Sequence, residues 1–210
     1  GVDTVIHLAA RVHQMQTDDP NLYHETNTLG TQQLLNQAKA AGVKRFIFIS
    51  TIKVLGEATE NQPFSDTSTP NPQDPYAKSK YAAEKFVEAS GLDYCILRIP
   101  LVYGPKVKAN MQALIQLMHK QLPLPFKSIC AKRSLLGVDN LIDLLIKIIE
   151  HPKPIQQTYV VADDLGVTLP TLLTALASAQ NKTARLLPCP PTLLKWLFKF
   201  TGKSAISQRL

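Results

Sequence analysis

The chain has 210 residues, 45% of them apolar, with 23 basic and 16 acidic side chains and a net charge of +7. At about 150 residues per domain this is one large domain or a core with a small lobe, long enough to bury roughly 70% of its unfolded surface, which excludes disorder. The Lys and Arg are scattered without interleaved aromatic residues, which excludes a nucleic-acid surface and leaves anionic small molecules as the expected partners.

A Gly rather than a Met stands at position 1 and a strand pattern follows almost at once, so we expect a chain whose beginning is missing. The apolar, β-branched run Thr4 to Ala9 reads as a buried strand, as do Arg45 to Ser50 and Asp93 to Arg98. Between the first two, Leu29, Leu34, Leu35 and Ala38 recur at helical spacing in a segment from about Asn21 to Ala41 that Gly42 closes. The second crossover has a polar, Pro-rich loop from Glu57 to Gln73 and then a helix from Pro75 to Ser90, closed by Gly91. Strands alternating with helices predict a parallel α/β sheet.

Beyond Pro105 the pattern predicts a helix near Ala109 to Gln121, a strand near Arg133 to Val138, and a helix from Asp139 to Glu150. A strand near Thr158 to Ala162 precedes a helix that Thr168 can cap, and the turn Pro188 to Pro191 leads into a basic amphipathic helix ending at Phe200. That last helix, with Lys195, Trp196 and Lys199, and Lys203 just after it, reads as a solvated face. This half is expected to be a small substrate lobe.

The apolar stretches Leu141 to Ile149 and Leu193 to Phe200 are short and charge-interrupted, so no stable membrane insertion is expected. Cys95, Cys130 and Cys189 are odd in number and far apart, which argues against a disulfide framework or zinc site and for a cytoplasmic setting. The five histidines lack metal-ligand spacing, and no metal is expected.

Chemistry concentrates where a Tyr precedes a Lys by four helical positions, because phenol and ammonium then share a face and the cation can lower the phenol pKa from about 10. Two pairs qualify, Tyr76 with Lys80 and Tyr81 with Lys85. Asp74 and Pro75 read as the cap and first turn of the helix, which puts Tyr76 at the edge where α/β ligands bind. Tyr81 lies about 140° further around the helix. Thr51, directly after the Arg45 to Ser50 run, supplies a hydroxyl at the same edge, with Ser50 as the alternative.

These residues and their neighbours resemble the extended short-chain dehydrogenase/reductases, the NAD-dependent epimerase/dehydratase family that epimerises, dehydrates or reduces nucleotide sugars. The resemblance runs through Val5-Ile-His-Leu-Ala-Ala10, Asn27-Thr-Leu-Gly-Thr31, Phe48-Ile-Ser-Thr-Ile-Lys-Val-Leu-Gly56 and Pro75-Tyr-Ala-Lys-Ser-Lys80. It continues in Leu97-Arg-Ile-Pro-Leu-Val-Tyr-Gly-Pro105 and Arg133-Ser-Leu-Leu-Gly-Val-Asp139. It implies a partial Rossmann-like, doubly wound parallel sheet with a small α/β substrate lobe. Residues 1–105 would be the C-terminal portion of an NAD(P)-binding domain, and 106–210 mainly the lobe, with return segments to the sheet.

By position, the resemblance implies that Thr51 holds the reacting sugar oxygen, that Tyr76 is the general acid/base, and that Lys80 lowers the tyrosine pKa and holds the nicotinamide ribose. Ala9, Ala10, Asn27 and Pro100 fall beside the NAD (or NADP) site, and Asn110 and Arg133 where relatives grip the diphosphate of a UDP-sugar, with Lys106 and Lys108 adding to that field. Arg98 reads as a structural ion-pair partner and Tyr103 as loop packing. The family's glycine-rich cofactor turn is nowhere in this chain, which implies truncation at the N-terminus and also at the C-terminus, and Leu55, Leu101 and Gly137 depart from common family residues. The whole implies a UDP-glucose 4-epimerase-like enzyme of surface-polysaccharide sugar metabolism, a homodimer when full length. The alternatives are an NAD(P)H-dependent reductase of a UDP-4-keto-hexosamine and a non-catalytic fragment on the same fold.

Overall fold

The computed structural model describes residues 1–12, 19–59, 62–107, 109–153, 155–163, 166–190 and 192–193. In chain order the elements are β1 (Thr4–His7), α1 (Pro20–Tyr23), a wide π turn (His24–Leu29), α2 (Gly30–Ala40), β2 (Arg45–Thr51), a 3-10 turn (Ile52–Val54) and α3 (Pro75–Glu88). They continue with β3 (Asp93–Ile99), β4 (Leu101–Tyr103), α4 (Ala109–His119), β5 (Lys132–Arg133), β6 (Leu135–Gly137), α5 (Val138–Glu150), β7 (Gln157–Val160), β8 (Val167–Thr168) and α6 (Leu169–Ser178). Two compact units result, Gly1–Val102 with Val138–Ala162, and Tyr103–Gly137 with Asp163–Leu210.

The first unit is built on a parallel sheet of order β1-β2-β3-β7. Its centre is β2, whose seven residues are all buried, because a strand flanked by partners and covered on both faces exposes nothing. Alternation along β2 sends Phe46 and Phe48 to one face, where Ile96 of β3, Leu35 and Ala38 of α2, and Ala83 and Val87 of α3 pack on them. Arg45 ties the opposite end together: its Nε donates to Asp93 Oδ2 at 2.6 Å, and its guanidinium donates to the carbonyls of Ile148 in the last turn of α5 and of His151 and Lys153 beyond it. Gly42 and Gly91 close α2 and α3 in the left-handed conformation, φ 73° and 76°, as their positions predict.

In the second unit α4 and α6 contribute Met118, Leu173 and Ala177 to a separate core with Leu124. β5 pairs antiparallel with β8, and the Thr168 hydroxyl caps α6 by accepting from Thr171 N at 3.3 Å.

Several elements differ from the sequence reading. The first strand stops at His7 and is half-buried rather than buried, since among the described residues it has β2 on one side only, and Leu8 beyond it is 57% exposed. The Asn21–Ala41 helix is interrupted by the π turn at His24–Leu29, whose buried Asn27 and Thr28 make tertiary hydrogen bonds. The expected strand from Arg133 to Val138 is two strands broken at Ser134, and Val138 already begins α5. Thr51 is the last residue of β2, paired with Ile99, rather than the residue after it. The basic helix expected to reach Phe200 lies outside the described residues beyond Leu193.

Candidate active site

Asp74 is the N-cap of α3, its Oδ1 accepting from Ala77 N at 2.6 Å, and Pro75 follows in the first turn where its missing N–H costs nothing. Tyr76 therefore leaves the helix at its start, with Lys80 one turn on along the same face. Thr51 meets them from the carboxyl end of β2, and its side chain also accepts from Lys53 N at 3.3 Å, capping the turn Ile52–Val54. Parallel strands share a carboxyl edge, so Ala9 and Ala10 after β1, Thr51 in β2 and Pro100 after β3 all lie along it.

Burial, followed by the negative charge of Asp74, raises the Tyr76 phenol above its usual value, while the Lys53 cation and a hydrogen bond with Thr51 pull the other way. Lys80 is 1% exposed, with its ammonium 3.9 Å from the centre of the Phe48 ring. Burial lowers its pKa to about 7 against the opposing pull of Glu84. The sequence argument made Lys80 the cation that lowers the phenol pKa. In the structure Lys80 shares a face of α3 with Tyr76, its ammonium over the Phe48 ring and subject to the charge of Glu84, and Lys53 is a second cation whose charge favours the phenolate.

Asn27 is fully engaged as a clamp. Its Oδ1 accepts from Arg11 N at 2.7 Å and its Nδ2 donates to Arg11 O at 3.0 Å and to Ser79 Oγ at 2.9 Å. It thus fixes the segment just after Ala9 and Ala10 onto α3, between Tyr76 and Lys80. The Tyr23 ring stands edge-on to Tyr76, centroids 6.4 Å apart, with the Arg11 guanidinium 5.8 Å from the Tyr23 centroid.

The alternatives separate. Ser50 donates its hydroxyl to Glu84 Oε1 at 2.5 Å inside the core, so the hydroxyl that meets Tyr76 is that of Thr51. Tyr81 and Lys85 form an outer pair, the ammonium 5.0 Å from the ring centre and bonded to Glu88 at 2.8 Å. Arg98 is a buried ion-pair partner, its Nη2 2.7 Å from Glu84 Oε2, and Tyr103 donates to Asp163 Oδ2 at 2.9 Å.

Thr51, Tyr76, Lys80, Ala9, Ala10, Asn27 and Pro100 belong to the first unit; Asn110 and Arg133 belong to the second. Asn110 is the second residue of α4, Arg133 is an exposed residue of β5, and Lys106 is an exposed residue with φ 60°. Lys108 lies outside the described residues. The sequence reading passed over Lys53 and Glu84. The signals for them were a cation two residues after Thr51 and a carboxylate four residues after Lys80. Among the described residues no cluster of His, Cys, Asp and Glu could hold a metal, and no helix is long and apolar enough to cross a membrane.

Residues 1–162 match the family described as NAD dependent epimerase/dehydratase. The UDP-glucose 4-epimerase of Vibrio cholerae is 44% identical over 215 residues, an alignment covering 98% of this chain and 66% of that protein. Among solved structures, the UDP-glucuronic acid 4-epimerase of Bacillus cereus in complex with NAD is similar at a TM-score of 0.76 and 26% identity, over 89% of this chain and 62% of that one. The UDP-glucose 4-epimerase of Thermotoga maritima with UDP-glucose follows at 0.72 and 26%, over 90% and 65%. The chain thus spans just under two thirds of the length of each of these three proteins.

Proposed function

The chain belongs to the NAD-dependent epimerase/dehydratase family, and from that premise we propose that the protein carrying it inverts the C4 hydroxyl of a UDP-sugar, as a UDP-glucose 4-epimerase does. The observation that carries the reading is the placement of Thr51 at the carboxyl end of β2 and of Tyr76 and Lys80 on one face of α3 from its first turn.

The residues present fit a nicotinamide cofactor: a phenol, a buried ammonium and the ends of three parallel strands converge on one sheet edge. Lys80 would hold its ribose, with Ala9, Ala10 and Pro100 beside it and Asn27 fixing the adjoining segment. When bound, the nicotinamide supplies the acceptor and donor of the hydride at the sugar carbon. Tyr76, as phenolate, takes the proton of the C4 hydroxyl and later gives it back. Thr51 holds that oxygen in line with the phenol. Arg133 offers a planar fork matched to the diphosphate, and Asn110 is the second residue we assign to that group.

The reading extends to a homodimer formed through the helices after Asn21 and Pro75, and to a cytoplasmic reaction supplying sugars for surface polysaccharide. The three cysteines, all free thiols, are in keeping with that compartment. The test is to express the longest reading frame containing this chain and incubate it with UDP-glucose and NAD. Formation of UDP-galactose is the expected result. Binding of neither nicotinamide nor UDP-sugar overturns the reading, and oxidation of NADPH by a UDP-4-keto-hexosamine without epimerisation replaces it with a reductase.

A further inference from the structure

The turn after Thr51 carries a cation that the proposed chemistry has not yet used. Lys53 Nζ lies 2.6 Å from Asp74 Oδ2 and 2.9 Å from Glu57 Oε1. Asp74 is at the same time the N-cap of α3, and Lys53 N donates to the Thr51 hydroxyl oxygen. One side chain therefore joins the turn that begins at Thr51 to the helix start that presents Tyr76. The loop between them is held as well, because Asn71 N donates to Val54 O at 2.9 Å.

We infer that Lys53 is a positioning residue for the reaction proposed above: its ammonium bridges the Thr51 turn to the Asp74 cap, holds the Thr51 hydroxyl against the Tyr76 phenol, and places a positive charge beside that phenol. The inference rests on the epimerase reading for its catalytic meaning but not for its electrostatics. A phenol can accept a proton only in its ionised form, and a nearby cation favours that form when the ring is buried. Lys80, one turn on along α3, is the cation that the family resemblance assigns to this task, and Lys53 adds a second from the turn after β2. The groups around Tyr76 are Thr51 from β2, Lys53 with Glu57 from the turn, Asp74 at its own helix cap, and Tyr23 from α1, whose ring also carries the Arg11 guanidinium. Of these, Asp74 opposes ionisation of the phenol and Lys53 favours it.

Two exposed pairs of this kind add little to stability singly, with side chains 41% and 32% exposed for Lys53 and Asp74. The value of this bridge is in where it holds its charge. Burial works against the Lys53 ammonium, yet the hydrogen bonds it donates to Asp74 and Glu57 outweigh it and keep the group firmly protonated. The cation is thus a fixed one across the pH range in which an enzyme works.

The experiment follows Tyr76 itself. The chain is labelled with 3-fluorotyrosine, the Tyr76 signal is assigned among the six tyrosines by its loss in Tyr76→Phe, and its titration is followed by fluorine NMR. Lys53→Met removes the cation, and Asp74→Asn removes the anion while Asn still caps the helix. The expected result is an upward shift of the phenol midpoint in Lys53→Met, a downward shift in Asp74→Asn, and a midpoint near wild type in Lys53→Arg. Any other combination overturns the inference, because a purely structural strut would move both bridge-breaking variants alike or not at all. Lys53→Gln is measured in parallel, so that loss of fold in one variant leaves the test standing.

In the longest reading frame, Lys53→Met should lower kcat on the order of 10- to 100-fold with little change in KM for the UDP-sugar, and Lys53→Arg should recover most of it. The two readings fail separately. A wild-type protein without epimerase activity removes the proposed function, whereas an unmoved Tyr76 signal removes the role of Lys53.

Discussion

In the proposed reaction Tyr76 takes a proton from a sugar hydroxyl, which it can do only as phenolate, and its surroundings set the difficulty of that step. Burial and Asp74 work against ionisation; Lys53 and the Thr51 hydrogen bond work for it. Removing the phenolic oxygen in Tyr76→Phe should reduce kcat by about 10²- to 10⁴-fold in the longest reading frame while UDP-sugar affinity stays near wild type, as steady-state kinetics and calorimetry would show. His7 gives a second residue-scale expectation. Burial, aided by the Lys80 charge, lowers its imidazole from 6.5 to about 4, and its Nε2 lies 3.0 Å from Thr31 Oγ1. A folded-state pKa below the unfolded one means that the unfolded chain takes up the proton first. The stability this group contributes is therefore complete above pH 6.5 and lost as the pH falls towards about 4. His7→Gln, which can keep a bond to Thr31, should flatten that part of a Tm-against-pH curve; an identical slope in the variant would exclude His7 as its source. The Tyr76 and Lys80 pair was legible in the sequence because its spacing is one helical turn. The pairing of Lys53 with Asp74 was not, because 21 positions separate them and only the fold closes that distance.

α3 is held to the sheet by a buried polar cluster as well as by apolar packing. Glu84, fully buried, accepts from Ser50 Oγ at the end of β2 and from Arg98 Nη2 and Nε in β3, and Ser50 and Arg98 are register partners across those strands. Truncating one member strands a charge in the core. Glu84→Gln should thus cost about 3–5 kcal/mol, whereas Glu84→Met combined with Arg98→Met should be closer to wild type, measured by urea denaturation. A double-variant loss equal to the sum of the two single-variant losses would show that the pair is not energetically coupled. At this scale the strands and helix types were readable from periodicity, and the caps at Asp74 and Thr168 from local chemistry. The π turn at His24–Leu29 was hidden, because Asn27 is drawn out of regular helix by partners 16 and 52 positions away at Arg11 and Ser79. The break between β5 and β6 was hidden too, since β5 exists only through its pairing with β8, across the chain from Arg133 to Val167.

The chain divides into a sheet unit that carries Thr51, Tyr76 and Lys80 and a second unit that carries Asn110 and Arg133. If the proposed roles follow that division, Arg133→Ala should raise KM for the UDP-sugar by about 10- to 100-fold, the loss expected for charge-assisted hydrogen bonds, and leave nicotinamide affinity unchanged. A parallel loss of both affinities by calorimetry would count against the division of labour. The sequence alone determined the parallel α/β class, the family and the helix face that pairs a tyrosine with a lysine, because each is written in short-range periodicity or in ordered motifs. The tertiary structure decided that Ser50 is engaged with Glu84 in the core, that Lys53 bridges the Thr51 turn to the Asp74 cap, and that residues Val138–Ala162 return to the first unit. Those are relations between residues far apart in the chain, and burial and charge act through space.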